Sequence, residues 1–220
     1  MKILAMDTAT KSATVAVVED GNLIGEFTLN SDKPHSQKIM PLTEDLLKEI
    51  GIRSSEIDIF AFAHGPGSFT GLRIGAAAVQ GFAQATGKKA VGVSTLESMA
   101  YTLSRVTDDL VCPVIDAKRG QVYYALYRQG DEIIAPSVES IETVIAQTSC
   151  LNKKVIFVGD AAILYREKLE NAFENSSVAP DVLNVNTATN VALLAYEKEI
   201  SGESGNPFPD YMMKSYVDKE

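Results

Sequence analysis

The sequence is poor in the residues from which several kinds of protein are built. Only Cys112 and Cys150 are present among 220 residues, so a disulfide framework is excluded and the thiols are expected to be reduced. Histidine is as scarce: His35 and His64 stand far apart in the chain and far from both cysteines. Transition-metal sites gather several His or Cys ligands at short spacing. No metal and no other cofactor is therefore expected. No apolar run approaches the roughly 18 residues a membrane helix needs. The first residues, "MKILAMDTAT", reach Asp7 too soon for the apolar region of a signal peptide. A cytoplasmic protein without membrane contact is the expectation. Basic runs are missing too, since Lys and Arg never occur more than two in a row and the formal net charge is −9. Phosphate contacts supply most of the affinity of nucleic-acid binders, which carry a basic stripe for that purpose. If this chain serves a nucleic-acid pathway, another subunit should hold the nucleic acid.

What is there is ordered in two similar halves. "KILAMD", "ATVAVVED" and "LIGEFTL" are β-rich runs, with "EDGN" at Glu19–Asn22 as a turn signal, so an antiparallel meander is predicted. A helix follows in "SQKIMPLTEDLLKEIG", where Pro41 predicts either a kink or the true start. Then come strand "DIFAFAHG", helix "TGLRIGAAAVQGFAQATG", strand "KAVGV" and helix "TLESMAYTLS". Strand–helix alternation of this kind marks a mixed sheet covered by helices. The pattern restarts at "CPVIDAKRGQVYYALYRQGDEIIA", with Asp116 on Asp7, Ala125 on Ala16, Gly130 on Gly21 and Ile133 on Ile24. Internal repetition changes the fold reading. The second half continues with a strand and helix in "KVIFVGDAAILYREKLENAF" and a late helix over 187–200. Two such halves, residues 1–108 and 109–220, are the layout of the actin-like (ribonuclease-H-like) α/β fold. The Gly/Ser/Pro-rich tail is expected to be mobile before Tyr211 and to pack back.

Four chemistries compete for the conspicuous residues. Asp7 and Asp116 end the first strand of each half, where this layout faces a nucleotide. They could hold a metal-bound phosphate, or each could simply accept backbone N–H groups in its own turn. Neither "DTAT" nor "DAKR" has the glycine that close phosphate approach favours, which makes an ATP-dependent kinase or hydrolase the rival reading. A metallopeptidase would lack its ligand set. Ser68, in "HGPGSFTGLRIG", sits before a helix like a hydrolase elbow, but "GPGSFTG" is not G-x-S-x-G, and a helix cap is the simpler role. The loop is left with phosphate binding or close contact. After it, Gly71, Gly75, Ala78 and Ala85 recur at helical spacing and offer a smooth face to another helix. With Ile74, Phe82 and, from the preceding helix, Ile39, Met40 and Leu47, they are the expected partner-interface residues. Two helices from each subunit would make a four-helix contact, symmetric in a homodimer.

The residues "ILAMDTAT", "GPGSFTGLRIG", "GVSTLESMA" and "VIDAKRGQVYYALY" resemble the bacterial TsaB (YeaZ) family, over residues 1–130 by motif and beyond that by layout. The resemblance implies an actin-like fold and a part in making threonylcarbamoyladenosine beside the tRNA anticodon. It implies a non-catalytic partner of the related catalytic subunit TsaD and of the ATPase TsaE, with a homodimer when alone and tRNA met only through the complex. The catalytic relative carries an Asn-His-x-x-x-His metal motif, and the matching positions here are Ser94, Thr95 and Met99, none a histidine. The tail departs from the family's Pro-x-Tyr-Leu-Arg-like ending, with Met213 or Lys214 where an arginine is expected.

Overall fold

The structure, a computed structural model, describes residues 1–203 and 205–212. Met213 and Lys214 lie outside them. In chain order the elements are β1 (Lys2–Asp7), β2 (Ala13–Glu19), β3 (Asn22–Leu29), α1 (His35–Glu49), β4 (Ile59–Gly65), α2 (Phe69–Thr86), β5 (Lys89–Ser94) and α3 (Thr95–Val106). They continue with β6 (Leu110–Lys118), β7 (Gln121–Arg128), β8 (Asp131–Ser140), α4 (Ile141–Ser149), β9 (Val155–Val158), α5 (Asp160–Leu164), α6 (Arg166–Glu170), β10 (Ser176–Val178) and α7 (Ala188–Ser201).

Two compact units result. The first holds Met1–Ser98 and the chain from Asn186 onward; the second holds Met99–Val185. The division expected at residues 108 and 109 is therefore cut differently. The reason is α7, which buries Val191, Ala192 and Ala195 against the first sheet.

The sheets confirm the repeat and the actin-like mixed-sheet layout. The first runs β3-β2-β1-β4-β5, and the second, read from its other edge, β8-β7-β6-β9-β10. Each pairs its first three strands antiparallel and the remaining two parallel. The hairpin turns match residue for residue: Asp20 and Gly21 have φ of 50° and 79°, Gln129 and Gly130 of 52° and 88°. Two consecutive positive φ values in a two-residue loop suit the twist of flanking strands, and glycine tolerates them best. The copies differ at the preceding turn. Asp7 pairs with Thr14, whereas Asp116 pairs with Val122, one short of Thr14's counterpart Tyr123. A bulge between Asp116 and Lys118 and a shorter connection to β7 take up the difference.

In the first unit Leu4, Met6, Val15, Val17, Phe60 and Phe62 form a core with Ile39 and Leu46 of α1 and Val79 of α2. β1 is apolar on both faces because helices cover both, which explains its unbroken "ILAM" run. Helix α1 passes through Pro41 from His35, with Gln37 and Pro41 both exposed, so the carbonyl that loses its helical partner is on the wet side. The single helix expected after β9 is instead two short ones meeting at Tyr165. The second core gathers Val114, Tyr124, Leu126, Val144, Phe157 and Leu169. Among the described residues no helix is long and apolar enough to cross a membrane.

Candidate functional site

The Gly-rich loop is shaped by a close backbone contact inside its own unit. β4 ends at Gly65, with φ of 136°, and the Gly65–Pro66 peptide is cis. Ser68 caps α2, its Oγ accepting from the Gly71 N–H at 3.3 Å, which is the role expected of it. The β1–β2 turn lies on this loop: the Ser68 N–H donates to the Ala9 carbonyl at 2.7 Å and Thr8 Oγ1 donates to the Gly71 carbonyl at 2.7 Å. A Cβ on Gly67 would strike the Ala9 carbonyl oxygen and one on Gly71 the Thr8 carbonyl oxygen, while one on Gly75 would come 2.7 Å from Thr8 Oγ1. Close contact is thus the answer for the loop, but its partner is the chain's own turn.

Asp7 is spent on the same turn. It is 1% exposed. Oδ1 accepts the Ala9 N–H at 2.7 Å and Oδ2 accepts Asn186 Nδ2 at 2.7 Å. Burial pushes its carboxyl up to about 6, against the opposing pull of those two hydrogen bonds. Asp116 repeats the motif: Oδ1 accepts the Lys118 N–H at 2.8 Å and Oδ2 pairs with Lys118 Nζ at 2.6 Å. Each aspartate accepts from the amide two residues on, the Asx arrangement that stabilises a turn. Of the positions matching the relative's metal motif, Ser94 caps α3 by accepting from the Glu97 N–H at 3.3 Å, and Thr95 and Met99 are buried. No group of three His, Cys, Asp or Glu side chains is arranged to hold a metal ion among the described residues.

The tail before Tyr211, expected to be mobile, is packed along the first unit. The Asp210 N–H donates to the His64 carbonyl at 2.8 Å and Gln80 Nε2 to the Pro207 carbonyl at 2.9 Å. The Arg73 guanidinium lies 3.8 Å from the centre of the Phe69 ring, and its Nε donates to the Tyr211 hydroxyl at 3.2 Å. Gly92 and Gly65 leave room for the backbone at Asn206 and Asp210.

The expected interface residues divide. Ile39 is a core residue, and Gly71 and Gly75 are buried under Thr8, so these three have no surface to offer. Met40 is 47% exposed, and Leu47, Ile74, Ala78 and Phe82 are half-buried, part core and part surface. Phe82 shows the division well: its ring stacks on Phe60 with centroids 5.4 Å apart, yet its edge lines the surface. The outward face of α2 is Ala77, Gly81 and Ala85, flanked by Ala78 and Phe82 and facing Met40 of α1. Beside it, Met40, Pro41, Leu47, Ile52 and Phe82 line an open, mainly apolar groove of about 550 Å³. The side of α2 that carries Gly71 and Gly75 is the inward one, a face away from the exposed small residues. Small residues serve both sides of α2, and only the larger buried Leu72 and Val79 fix which side is in.

Comparison with known proteins fits this architecture. The family model described as "TsaD: tRNA N6-adenosine threonylcarbamoyltransferase" matches residues 22–216. The tRNA threonylcarbamoyladenosine biosynthesis protein TsaB of Bacillus subtilis is 30% identical over 96% of this chain and 94% of its own. Its Escherichia coli namesake is 40% identical over 60% of this chain and 57% of its own length. YeaZ from Pseudomonas aeruginosa superposes with a TM-score of 0.78 at 28% identity, covering 96% of this chain and 99% of that one. Component A of (R)-2-hydroxyglutaryl-CoA dehydratase from Acidaminococcus fermentans, 12% identical with a TM-score of 0.55 over 91% of this chain and 99% of its own, shares the fold alone. The duplicated meander, the capped Gly-rich loop on the Asp7 turn and these matches together assign the chain to the TsaB (YeaZ) family of tRNA threonylcarbamoyladenosine biosynthesis proteins.

Proposed function

We propose that this chain is a non-catalytic, cytoplasmic scaffold subunit of the assembly that makes threonylcarbamoyladenosine beside the tRNA anticodon. It pairs with a related catalytic subunit of the TsaD type and works with an ATPase of the TsaE type. The observation that carries this reading is the exposed apolar face of α1 and α2, with Ala77, Gly81 and Ala85 beside Met40 and Phe82. Three small residues one helical turn apart let a second helix approach closely, and Met40 and Phe82 supply the apolar area that a partner would cover. The match of this chain to the transferase family's own model supports a partner of related fold, which would present similar helices. The same face on a second copy supports a homodimer when the partner is absent.

Two further features favour a non-catalytic role. Both oxygens of Asp7 are occupied by the Ala9 and Asn186 amides, and Ser94, Thr95 and Met99 stand where the catalytic relative carries its metal motif. A net charge of −9 favours contact with tRNA through the other subunits. The test is co-expression with the TsaD-type subunit, followed by a modification assay that omits each component in turn. Co-purification, with loss of product when this chain is left out, is the expected result. Modification that proceeds undiminished without it would overturn the reading.

A further inference from the structure

The tail reverses the usual placement of its side chains. Over residues 205–210 burial alternates: Gly205, Pro207 and Pro209 are half-buried, while Asn206, Phe208 and Asp210 are exposed. Phe208 is 64% exposed. A segment laid down only to cover its own unit would turn the ring inward, because a phenylalanine ring carries a large apolar area that gains from burial. Here the prolines face in and the aromatic faces out.

The course of the tail is built into the unit beneath it. A Cβ on Gly92 would strike the Asn206 carbonyl oxygen, and one on Gly65 the Asp210 carbonyl oxygen, so both glycines keep room for its backbone. The Phe208 N–H donates to Asn206 Oδ1 at 3.1 Å, which fixes the turn at the ring. On α2 the tail is tied at two points, from Gln80 Nε2 to the Pro207 carbonyl and from Arg73 Nε to the Tyr211 hydroxyl. Arg73 and Gln80 are two turns apart on one side of the helix, and Ala77 lies between them. Ala77 also belongs to the outward face with Gly81 and Ala85. The tail therefore runs along the border of that face, and Phe208 and the 39% exposed Tyr211 extend it. Single exposed apolar residues need no partner, but a contiguous set marks an interaction site. Asp210, two residues after Phe208 and exposed like it, has no ion-pair partner among the described residues.

We propose that the docked tail is part of the surface that meets the TsaD-type subunit, with Phe208 inserted as an anchor into an apolar pocket of that partner. Asp210 faces a basic group at the pocket's edge. This rests on the reading of the chain as that subunit's partner and adds to it a second, separable element of the contact. A ring held outward on a fixed backbone loses little freedom on binding, which is the property of an anchor residue.

Surface plasmon resonance over immobilised TsaD-type subunit, with the chain kept dilute, tests this. Phe208→Ala should weaken pairing by at least about thirtyfold, the effect of losing one buried aromatic anchor, mainly through faster dissociation. Circular dichroism and the unfolding midpoint of the isolated variant should match wild type, since the ring is exposed there. Ile133→Ala, at a 49% exposed position of β8, is the control and should pair normally. Gln80→Ala releases the Pro207 carbonyl, so it should weaken pairing in the wild-type chain but add little once Phe208 is alanine. Asp210→Asn should slow association and lessen its salt dependence. Wild-type pairing by Phe208→Ala, an equal loss in Ile133→Ala, equal effects of Gln80→Ala in both backgrounds, or an unchanged association rate for Asp210→Asn would each overturn the proposal and leave the subunit reading standing. A wild-type chain that does not pair at all would overturn both.

Discussion

Asn186 donates through Nδ2 to Asp7 Oδ2 at 2.7 Å, and exchanges hydrogen bonds of 2.8 and 3.0 Å with Ser98 Oγ. Ser98 is the last residue before the chain leaves the first unit, and Asn186 is the first on its return. One buried carboxylate therefore ties both passages of the chain to the end of β1. The hydrogen-bond donors to it, Ala9 and Asn186, are neutral, and among the described residues no cation offsets its burial.

A pH dependence follows, with a definite sign. The Asp7 carboxyl is raised from 3.8 to about 6 by burial, so between those values the folded chain holds a proton that the unfolded chain has lost. Stability from this group is fully present below the lower value and is lost as pH rises through the upper one. A shift of that size corresponds to about 3 kcal/mol across the window. Asp7→Asn, which cannot titrate, should flatten that part of the stability profile. Denaturant midpoints of the two proteins over pH 4 to 7 provide the check, and parallel profiles would show that Asp7 titrates normally.

Gly71 and Gly81 lie on one helix and should respond to alanine in opposite directions. At Gly71 a methyl group would meet the Thr8 carbonyl, so Gly71→Ala should destabilise by about 2–3 kcal/mol as an overpacked site. At Gly81 nothing lies within 4 Å. Gly81→Ala should therefore stabilise the isolated chain by about 0.5–1 kcal/mol through helix propensity. Thermal unfolding of both variants reads the contrast, and a destabilised Gly81→Ala would mean that the outward face of α2 is misassigned.

The repeat was legible in the sequence because turns are written locally: Gly21 and Gly130 each follow a residue of positive φ at the same point of their hairpins. The capping role of Ser68 was legible for the same reason. The path of the chain was not. Nothing local distinguishes α7 as a cover for the first sheet, because its Val191, Ala192 and Ala195 would suit any apolar surface. Gly71 and Gly75 were identified as contact residues, but the sequence names no partner for a contact, and Thr8 lies 63 positions from Gly71. The β6–β7 register also differs by one from that of β1–β2, which the matching of Asp116 to Asp7 and Ala125 to Ala16 could not show, since one bulge shifts every pairing that follows it.

Nucleic-acid binding by this chain alone should be weak. With a net charge of −9, its isolated form is expected to retain no tRNA at physiological salt. Filter binding on the purified chain measures this directly. Tight association that falls steeply with added salt would reveal a basic surface of its own and remove the reason for assigning tRNA to the other subunits.

The interface is best tested at Ala77. Ala78, though half-buried at the same face, also packs against the core, so a large residue there would confound unfolding with loss of pairing. Ala77 is exposed and lies one turn from Gly81 along the outward side of α2. On the monomer, at a concentration too low for any homodimer, an arginine there extends into water, so Ala77→Arg should leave the unfolding free energy within about 0.5 kcal/mol of wild type. Against a partner helix the same side chain would bury an unpaired charge and hold the two backbones apart, which costs several kcal/mol. Pairing with the TsaD-type subunit, and any homodimer, should therefore weaken by at least about a hundredfold, close to 3 kcal/mol. Light scattering gives the assembly state and circular dichroism the fold. A folded Ala77→Arg chain that pairs as well as wild type would place the partner on some other surface.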